Sequence, residues 1–463
     1  MPETTRRAIR AAIETADVKD GATLSFHHHL RNGDDVMRQV LADCAVLGLR
    51  DLHIAPSSLF PCHEALIPFL RDGVVTRITT SYMTGPLAEA VRAGVLTHPV
   101  QLQSHGGRAA AIASGRLPID AAFVAAPAVD AAGNLSGAVG PSACGPLGYA
   151  MVDAEHARHV VAVTDHRCEA VPRVCIPAAQ VDQVVEVAQI GDAGQIASGT
   201  TGRAPSEKGR VIADLTARLI AVSGLLRDGF RFQTGAGATS LAVAHALAPE
   251  MVARGIVGDF AAGGITGALV DMFRAGLFRG LRDVQAFDLA AVRSYAEDAA
   301  HLAMSAEEYA SPERPDCVAK QLDVMILGAA EIDADFNVNV TCASDGRIIG
   351  GSGGHADTAA GAILPIVTTP LQAAGRPKLV EALTCLTTPG KTIGALVTEA
   401  GIAIHPSRPD LIKAAQKAGL PLKSFEDLRR LAGDQAGSGR GQGRVVAESL
   451  SPTGHVLDQV RIS

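Results

Sequence analysis

The segment Ile119-Asp-Ala-Ala-Phe-Val-Ala-Ala-Pro-Ala-Val-Asp-Ala-Ala-Gly-Asn134 has a counterpart later in the chain, Leu322-Asp-Val-Met-Ile-Leu-Gly-Ala-Ala-Glu-Ile-Asp-Ala-Asp-Phe-Asn337. The two align without a gap, with aspartates at matching positions and an asparagine at the end of each. The same offset places Phe69-Leu-Arg-Asp-Gly73 over Met272-Phe-Arg-Ala-Gly276. Self-similarity at one fixed offset indicates that the chain contains two copies of one supersecondary design.

Each copy alternates short apolar runs with helical patterns. The runs suit buried parallel strands, and the helical patterns follow a 3.6-residue period. Strands are predicted at 23–26, 52–55, 74–78, 121–125, 230–232 and 324–327, and helices at 36–47 and 240–253. Strands that alternate with helices predict an α/β fold with mostly parallel sheets, and ligands then bind beyond the carboxyl ends of strands.

The breaker-rich segment around 203–208 predicts two similar domains that face a shared cleft, one over 1–207 and one over 208–463. Runs at 444–448 and 456–462 flank Ser451-Pro-Thr-Gly454 and predict a hairpin at the end of the second domain. The glycine-rich segment 437–443 is expected to be flexible.

Composition excludes several classes of protein. The 463 residues carry a formal net charge of −7, which disfavours nucleic-acid binding. The eight cysteines form no C-x-x-C pair, so they are expected to be reduced thiols in the cytoplasm rather than zinc ligands. No uninterrupted apolar run is long enough for a membrane span, and the first 19 residues predict an exposed helix rather than a signal peptide.

Two segments of the first copy are candidate binding elements. Ser25-Phe-His-His-His-Leu-Arg31 joins a strand to a helix; one histidine could face a cleft, or the segment could be a polar turn capped by Asn32 or Asp34. A metal site there is disfavoured, because neighbouring side chains on a strand point apart. Ser104-His-Gly-Gly-Arg108 combines glycine N–H groups with an arginine and a histidine, as an anion site does, although a plain turn would explain it equally well.

Two glycine-rich segments of the second copy are further candidates. Gln233-Thr-Gly-Ala-Gly-Ala-Thr239 follows a strand and opens a helix, a geometry that supports oxyanion binding, but it lacks the dinucleotide fingerprint. Gly350-Gly-Ser-Gly-Gly-His-Ala-Asp357 is too rich in glycine for core packing and is expected to contact ligand. Glu331 could be a general base or cap the next turn, and Asn337 follows it.

Many motifs, in matching order, resemble those of the citrate lyase α subunit family. They include Ser25-Phe-His-His28, Gly85-Pro-Leu-Ala-Glu89, Ser104–Arg108, Leu147-Gly-Tyr-Ala-Met-Val-Asp153, Asp259-Phe-Ala-Ala-Gly-Gly-Ile-Thr266, Asp283-Val-Gln-Ala-Phe-Asp288 and Ser352-Gly-Gly-His-Ala-Asp357. The resemblance implies two CoA-transferase-type (NagB/RpiA-like) domains. It also implies exchange of the acetyl group of a thioester for citrate, with release of acetate. The implied carrier is CoA or an acyl carrier γ subunit that bears phosphoribosyl-dephospho-CoA, and a β subunit would cleave the citryl thioester.

One departure from related CoA-transferases concerns their catalytic glutamate. The matching stretch here is Phe260-Ala-Ala-Gly-Gly264, with Gly263 nearest to the glutamate position. The resemblance therefore implies direct exchange through a citric–acetic mixed anhydride. Backbone N–H groups of the glycine segments could stabilise the oxyanion, and Arg31, Arg108 and His105 are candidates for binding citrate carboxylates.

Together these arguments assign candidate roles to three groups of residues. The catalytic candidates are Gly235, Gly237, Glu331, Gly353 and Gly354; the thioester-binding candidates are Gln233, Thr234, Gly351, Ser352, His355 and Asn337; the substrate-binding candidates are His28, Arg31, Ser104, His105, Gly106, Gly107 and Arg108. No metal is expected for this subunit, and a homo-oligomer is expected.

Two other functions remain open at this stage. The chain could be a CoA-transferase or acyl-CoA hydrolase for another acid, such as citramalate or itaconate. It could instead be a ligand sensor on a similar α/β fold, but that function predicts an N-terminal DNA-binding segment, for which the first twenty residues are too short.

Overall fold

The computed structural model describes residues 3–197, 204–433 and 441–462. The helices are α1 Glu3–Thr15, α2 Val36–Val46, α3 Ile67–Arg71, α4 Pro86–Arg92, α5 His105–Ala113, α6 Gly148–His156, α7 Glu207–Val222, α8 Ala238–Arg254, α9 Gly267–Arg274, α10 Leu289–Glu297, α11 Ala306–Ala310, α12 His355–Gly361, α13 Pro409–Lys417 and α14 Phe425–Ala432. Part of the predicted boundary segment 203–208 and part of the glycine-rich segment 437–443 lie outside the described residues.

The strands of the first half are β1 Thr23–Phe26, β2 Leu52–Pro56, β3 Val75–Thr80, β4 Val100–Leu102, β5 Ala121–Ala126, β6 Ala128–Val129, β7 Leu135–Ser136, β8 Val160–Thr164 and β9 Gln183–Glu186. The later strands are β10 Arg231–Thr234, β11 Gly258–Ile265, β12 Phe278–Ala286, β13 His301–Ala303, β14 Val324–Gly328, β15 Glu331–Ile332, β16 Val338–Asn339, β17 Leu364–Thr368, β18 Gln372–Ala373, β19 Arg376–Pro377, β20 Ala395–Thr398, β21 Gly401–Ile404, β22 Val445–Leu450 and β23 Val456–Arg461. The predicted α/β class is confirmed, and predicted ends differ from these by a few residues.

Two large sheets repeat one strand order. The first runs β23-β22-β4-β3-β2-β1-β5-β8-β9, and the second runs β13-β12-β11-β10-β14-β17-β20-β21. Every pairing is parallel except β22 with β23 and β20 with β21. Strands β4-β3-β2-β1-β5-β8 correspond in order to β13-β12-β11-β10-β14-β17, so the internal repeat is visible in the topology. We call the two sheets with their helices the first and second lobes.

The repeated segment makes the same hydrogen bonds in both lobes. Asp130 accepts hydrogen bonds from the backbone N–H of Asn134 at 2.9 Å and from its side-chain amide at 3.0 Å. Asp333 accepts the same two bonds from Asn337, at the same distances. The matched aspartate and asparagine therefore close the same turn shortly after the matching strands β5 and β14.

The terminal hairpin forms, but it belongs to the first lobe. Strand β22 pairs in parallel with β4, with Ala447 opposite Val100, so the predicted 208–463 unit sends its last strands into the opposite sheet. The sequence contains the hairpin pattern but no signal for its pairing partner.

The N-terminal helix is half-buried rather than exposed, because Ile9, Ala12 and Ile13 pack into the core on one face of α1. This corrects the expectation of an exposed helix.

Among the described residues, no helix combines the length and the apolar character that crossing a bilayer requires.

Candidate active site

A cavity of about 280 Å³ lies between the two lobes, and we call it the interlobe cavity. The first lobe contributes His28, Arg31, Ser58, Phe60, Tyr82, His105 and Tyr149; the later residues include 233–237, Ser240, Gly264, Val284, Gln285, Phe287, Tyr309 and 351–355. Strands β10, β12 and β14 end at this cavity, and His28 follows the end of β1. The site therefore occupies the carboxyl ends of parallel strands, as expected. The two predicted glycine segments share it.

The segment 350–354 packs directly against the first lobe. The N–H of Gly353 donates to the Ser81 carbonyl at 3.0 Å, and the N–H of His105 donates to the Gly353 carbonyl at 2.8 Å. A Cβ on Gly351 would lie 2.5 Å from the same Ser81 oxygen, and one on Gly354 would lie 2.5 Å from the Tyr309 hydroxyl. Gly351 therefore allows close packing of the lobes, and Gly354 allows the close approach of Tyr309 within the second lobe; the expectation of ligand contact alone did not include this packing role.

Arg31 is a buried cation in the cavity wall. It is 8% exposed, its φ of +53° lies in the left-handed region, and its guanidinium carbon lies 5.0 Å from the Phe60 ring centroid and 4.7 Å from that of Phe287. No carboxylate among the described residues pairs with it, and its Nε has no hydrogen-bond partner there. Burial lowers its pKa to about 10, so it stays charged at neutral pH. A buried charge without a partner is costly, and an anion bound in the cavity would supply one.

The cavity histidines are neutral. Burial, and then the nearby charge of Arg108, lower the pKa of His105 to about 3. Burial lowers the pKa of His28 well below its usual value, and its Nδ1 lies 2.6 Å from the Ser57 hydroxyl. Both rings pack on Tyr149, with centroids 4.6 and 4.5 Å from that ring. His105 therefore lines the cavity as a polar group, not as the cation that the sequence suggested.

His355 is held by two hydrogen bonds. Its Nε2 lies 2.9 Å from the carbonyl oxygen of Gly328, so this nitrogen carries the proton and donates it. Its Nδ1 then accepts from the hydroxyl of Thr388 at 2.8 Å. Burial lowers its pKa to about 4, which keeps the imidazole neutral.

Two glutamines of the wall are fixed through their amide nitrogens. The Nε2 of Gln233 donates to the Tyr309 hydroxyl at 2.7 Å, and that of Gln285 donates to the His28 carbonyl at 2.7 Å. The Oε1 of each is buried without a partner among the described residues, and so is the hydroxyl of Thr234. Buried polar atoms are normally paired, so these atoms are candidates for ligand contact.

The helix that starts at Ser104 does not offer a free anion site. Ser104 caps it by accepting from the N–H of Gly107 at 3.0 Å, while Asp357 contacts the Ser104 hydroxyl at 2.5 Å and accepts from the N–H of Gly106 at 2.9 Å. Burial raises the pKa of Asp357 to about 7. Ser104 and Gly106 therefore hold the lobes together, Gly107 serves the helix cap, and none of the three lines the cavity.

Arg108 is also outside the cavity. Its guanidinium pairs with Asp153 at 3.0 Å and donates to the carbonyl of Ala55 at 2.6 Å, and all of it is buried. The structure thus separates Arg108 from Arg31, although the sequence proposed that both bind citrate.

Glu331 and Asn337 lie outside the cavity too. Glu331 accepts from the side chain of Asn339 at 2.9 Å and from the N–H and hydroxyl of Thr384 at 2.7 and 2.9 Å. The oxygen of the Asn337 side chain accepts from the N–H of Gly390 at 2.8 Å, and its amide closes the repeated turn. Of the two roles weighed for Glu331, the turn-stabilising one matches its contacts.

The predicted oxyanion donors are only partly available. The N–H of Gly235 donates to the Ile326 carbonyl at 2.8 Å, and that of Gly353 is used by Ser81. Gly237 caps the N-terminus of the 17-residue helix α8, whose first N–H groups lie beside the cavity. The positive end of that helix is the remaining candidate for stabilising an oxyanion.

Several wall residues were missed from the sequence. They are Ser58, Phe60, Tyr82, Tyr149, Gln285, Phe287 and Tyr309. The chain has only four tyrosines, and Tyr82, Tyr149 and Tyr309 all reach this cavity. The position of a tyrosine in the sequence was therefore a signal for this site. Among the described residues that line the cavity there is no Asp, Glu, Cys or Lys, and Arg31 is the one arginine.

Comparison with known proteins agrees with the fold. The model of the family "Citrate lyase, alpha subunit (CitF)" matches residues 4–461. The chain is 42% identical to the citrate lyase alpha chain of Klebsiella pneumoniae, covering 98% of this chain and 90% of that one. It is 44% identical to the citrate lyase alpha chain of Escherichia coli K12, covering 92% of this chain and 83% of that one.

Comparison with solved structures supports the same family and fold. The alpha subunit of citrate lyase from Streptococcus mutans, solved in complex with citrate, superposes with a TM-score of 0.94 at 42% identity, over 98% of this chain and 90% of that one. The alpha subunit of a malonate decarboxylase from Acinetobacter baumannii shares the fold, with a TM-score of 0.68 at 15% identity over 93% of this chain and 96% of that one. The chain belongs to the citrate lyase alpha subunit family, the CoA-transferase-type part of citrate lyase.

Proposed function

We propose that the interlobe cavity binds citrate beside an acetyl thioester and exchanges the two acyl groups without an acyl group ever bound to the protein. The observation that carries the proposal is the charge inventory of the wall: one unpaired buried cation, Arg31, and no carboxylate or thiol among its described residues. A tricarboxylate needs the cation, and an enzyme-bound thioester or anhydride would need a protein carboxylate.

The exchange has two steps. A citrate carboxylate oxygen attacks the thioester carbonyl, and the tetrahedral oxyanion collapses with cleavage of the C–S bond, which gives a thiolate and a citric–acetic mixed anhydride. The thiolate then attacks the citryl carbonyl, and acetate leaves with the bridging oxygen. The N-terminus of α8 at Gly237 would stabilise each oxyanion; one such donor contributes about 3 kcal/mol in well-studied enzymes. Held geometry supplies much of the remaining rate.

The surroundings of Gly263 support the direct route. This residue lies nearest to the glutamate position of related transferases, and a Cβ built on it would lie 2.5 Å from the Cδ of Gln233. The Gln233 amide occupies the space that a longer side chain would need. An amide is not a nucleophile that could form a thioester-linked intermediate.

The remaining parts of the proposal concern partners and cofactors. The acetyl donor is CoA or the acyl carrier γ subunit bearing phosphoribosyl-dephospho-CoA, a β subunit cleaves the product, and the chain works as a homo-oligomer in the cytoplasm without a metal of its own. Three relatives of this chain are named citrate lyase alpha chain, and these names support the proposed assembly.

Single-turnover oxygen tracing tests the mechanism. Citrate labelled with ¹⁸O in its carboxylates is mixed with acetyl-CoA and excess purified chain, and acetate, citryl-CoA and intact protein are analysed by mass spectrometry. The direct route places one label in the first acetate released and leaves the protein mass unchanged. A protein-bound intermediate would release unlabelled acetate first and add the mass of CoA or an acyl group to the chain, and either result would contradict the proposal.

A second candidate is exchange with another carboxylic acid. The unpaired Arg31 would also accept a carboxylate of citramalate or itaconate, so the same assay run with both acids separates these substrates from citrate.

A further inference from the structure

The strongest unassigned feature of the interlobe cavity is the relationship between Gln285 and Arg31. The carbonyl oxygen of His28 accepts two hydrogen bonds, one from the N–H of Arg31 at 2.9 Å and one from the Nε2 of Gln285 at 2.7 Å. Because a carbonyl only accepts, the Gln285 amide is oriented with its nitrogen on His28 and its Oε1 elsewhere. That oxygen is buried without a partner among the described residues.

The two side chains also share a neighbour. Phe287 lies two residues after Gln285 in the chain, just past the end of β12, and both residues line the cavity. The ring of Phe287 stacks on the Arg31 guanidinium at 4.7 Å. Arg31 and Gln285 therefore line one cavity and are both anchored at the His28 carbonyl.

We infer that Gln285 and Arg31 together recognise an α-hydroxy carboxylate, with the carboxylate on Arg31 and the hydroxyl donating to Oε1 of Gln285. This inference rests on the proposed function and specifies its substrate class. Fully ionised citrate has one hydrogen-bond donor, the hydroxyl on its central carbon, and that carbon also bears a carboxylate. Docking the central carbon here leaves the two terminal carboxylates facing the rest of the cavity, so a terminal carboxylate would attack the thioester.

A competing donor for Gln285 would be an amide N–H of the thioester carrier. The cavity that Gln285 shares with Arg31 favours the acid, because the cation attracts the carboxylate of the same molecule that carries the hydroxyl. A site built to bind a hydroxyl discriminates against analogues that lack it, since its buried acceptor stays unpaired.

The test uses citrate and tricarballylate, which differs from citrate only by lacking the hydroxyl. Binding of each acid to the full chain is measured by titration calorimetry. The unmodified chain should bind citrate roughly ten- to a hundredfold more tightly than tricarballylate. In Gln285→Met the two affinities should fall within about threefold of each other, because citrate loses affinity and tricarballylate does not.

Gln39→Met is the matched control. Gln39 is buried, its Nε2 donates to the backbone carbonyl of Gln189 at 3.0 Å, and its Oε1 has no partner, yet it does not line the cavity. This variant should keep the full discrimination.

Two calorimetric results would overturn the inference: equal binding of both acids by the unmodified chain, or equal weakening of both acids by Gln285→Met. In the exchange reaction, an effect of Gln285→Met confined to the KM for acetyl-CoA would overturn it as well. The first comparison needs no variant, so it holds even if Gln285→Met fails to fold. Equal binding of the two acids would leave the proposed exchange intact, whereas binding of neither acid would contradict the proposed function itself.

Discussion

The side-chain amide of Gln233 fills the space directly above Gly263, where a Cβ would lie 2.5 Å from the Gln233 Cδ. Gly263 also has a φ of +96°, which side chains rarely adopt. The backbone at position 263 therefore disfavours a side chain, and an added Cβ would require the Gln233 amide to shift.

Gly263→Ala should accordingly lower both stability and exchange activity. Strain at the positive φ costs about 1–3 kcal/mol, and displacement of Gln233 breaks its bond to Tyr309, so we expect the exchange rate to fall at least about tenfold. Gly276→Ala is the control, because Gly276 has a φ of +76° but open space at its Cβ. It should share the loss of thermal stability and keep the exchange rate; equal rates for the two variants would contradict this account.

Arg31→Asn should weaken citrate binding while raising stability. Asparagine tolerates the left-handed backbone of Arg31, and the change removes a buried charge that has no carboxylate partner. We expect citrate to bind roughly ten- to a hundredfold more weakly and the melting temperature to rise. Calorimetric titration and thermal unfolding of the same sample measure both. An unchanged citrate affinity would remove Arg31 from the substrate site.

Arg108→Ala should act on stability, not on citrate recognition. The sequence alone made Arg108 a candidate for binding a citrate carboxylate, but the substitution leaves the Asp153 carboxylate buried without its ion pair. Breaking a buried pair in this way costs about 3–5 kcal/mol of unfolding free energy. Arg116→Ala, which removes an exposed pair with Glu313, should cost less than about 1 kcal/mol. Urea titrations of both variants measure the difference.

Acid should destabilise the folded chain through its buried histidines. His355 keeps a pKa of about 4 in the folded state, whereas the unfolded chain binds that proton below about pH 6.5. The contribution of His355 to stability is therefore fully present above about pH 6.5 and falls as the pH drops toward 4, by about 2 kcal/mol between pH 7 and pH 5. Asp357, with its pKa raised to about 7, acts in the opposite direction over the same range.

His355→Gln isolates this contribution. The variant should lose about 2 kcal/mol less than the unmodified chain between pH 7 and pH 5 in denaturant titrations. An identical pH dependence in the two proteins would show that His355 is not held neutral by burial.

Most of the fold could be predicted from the sequence because the repeat and the apolar runs are local signals. Asp130 and Asp333 mark the same turn in both lobes, and the matching strands β5 and β14 that precede them are interior strands of the two sheets. The pairing of β22 with β4 could not be predicted, because the two strands are far apart in sequence and neither pattern specifies its partner.

The residues predicted for the candidate site fall into two groups, those that line the cavity and those whose polar groups are already paired within the protein. The glycine segments and Arg31 were found because a flexible turn after a strand and a basic residue are typical of anion sites. Ser104 and Arg108 were assigned there for the same reason, but their donors are used by Asp357 and Asp153. A sequence shows which groups are present, not which of them are already paired within the protein.

The placement of β22 has a consequence for biosynthesis. The outer edge of the first sheet is completed by residues near the end of the chain, so β4 has no partner on that side while the second lobe is still being made. At roughly 5–20 residues per second, the ribosome leaves that edge uncovered for some tens of seconds. An unpaired edge strand is a template for pairing with another chain, so β4 is exposed to mispairing between nascent chains until β22 has been synthesised.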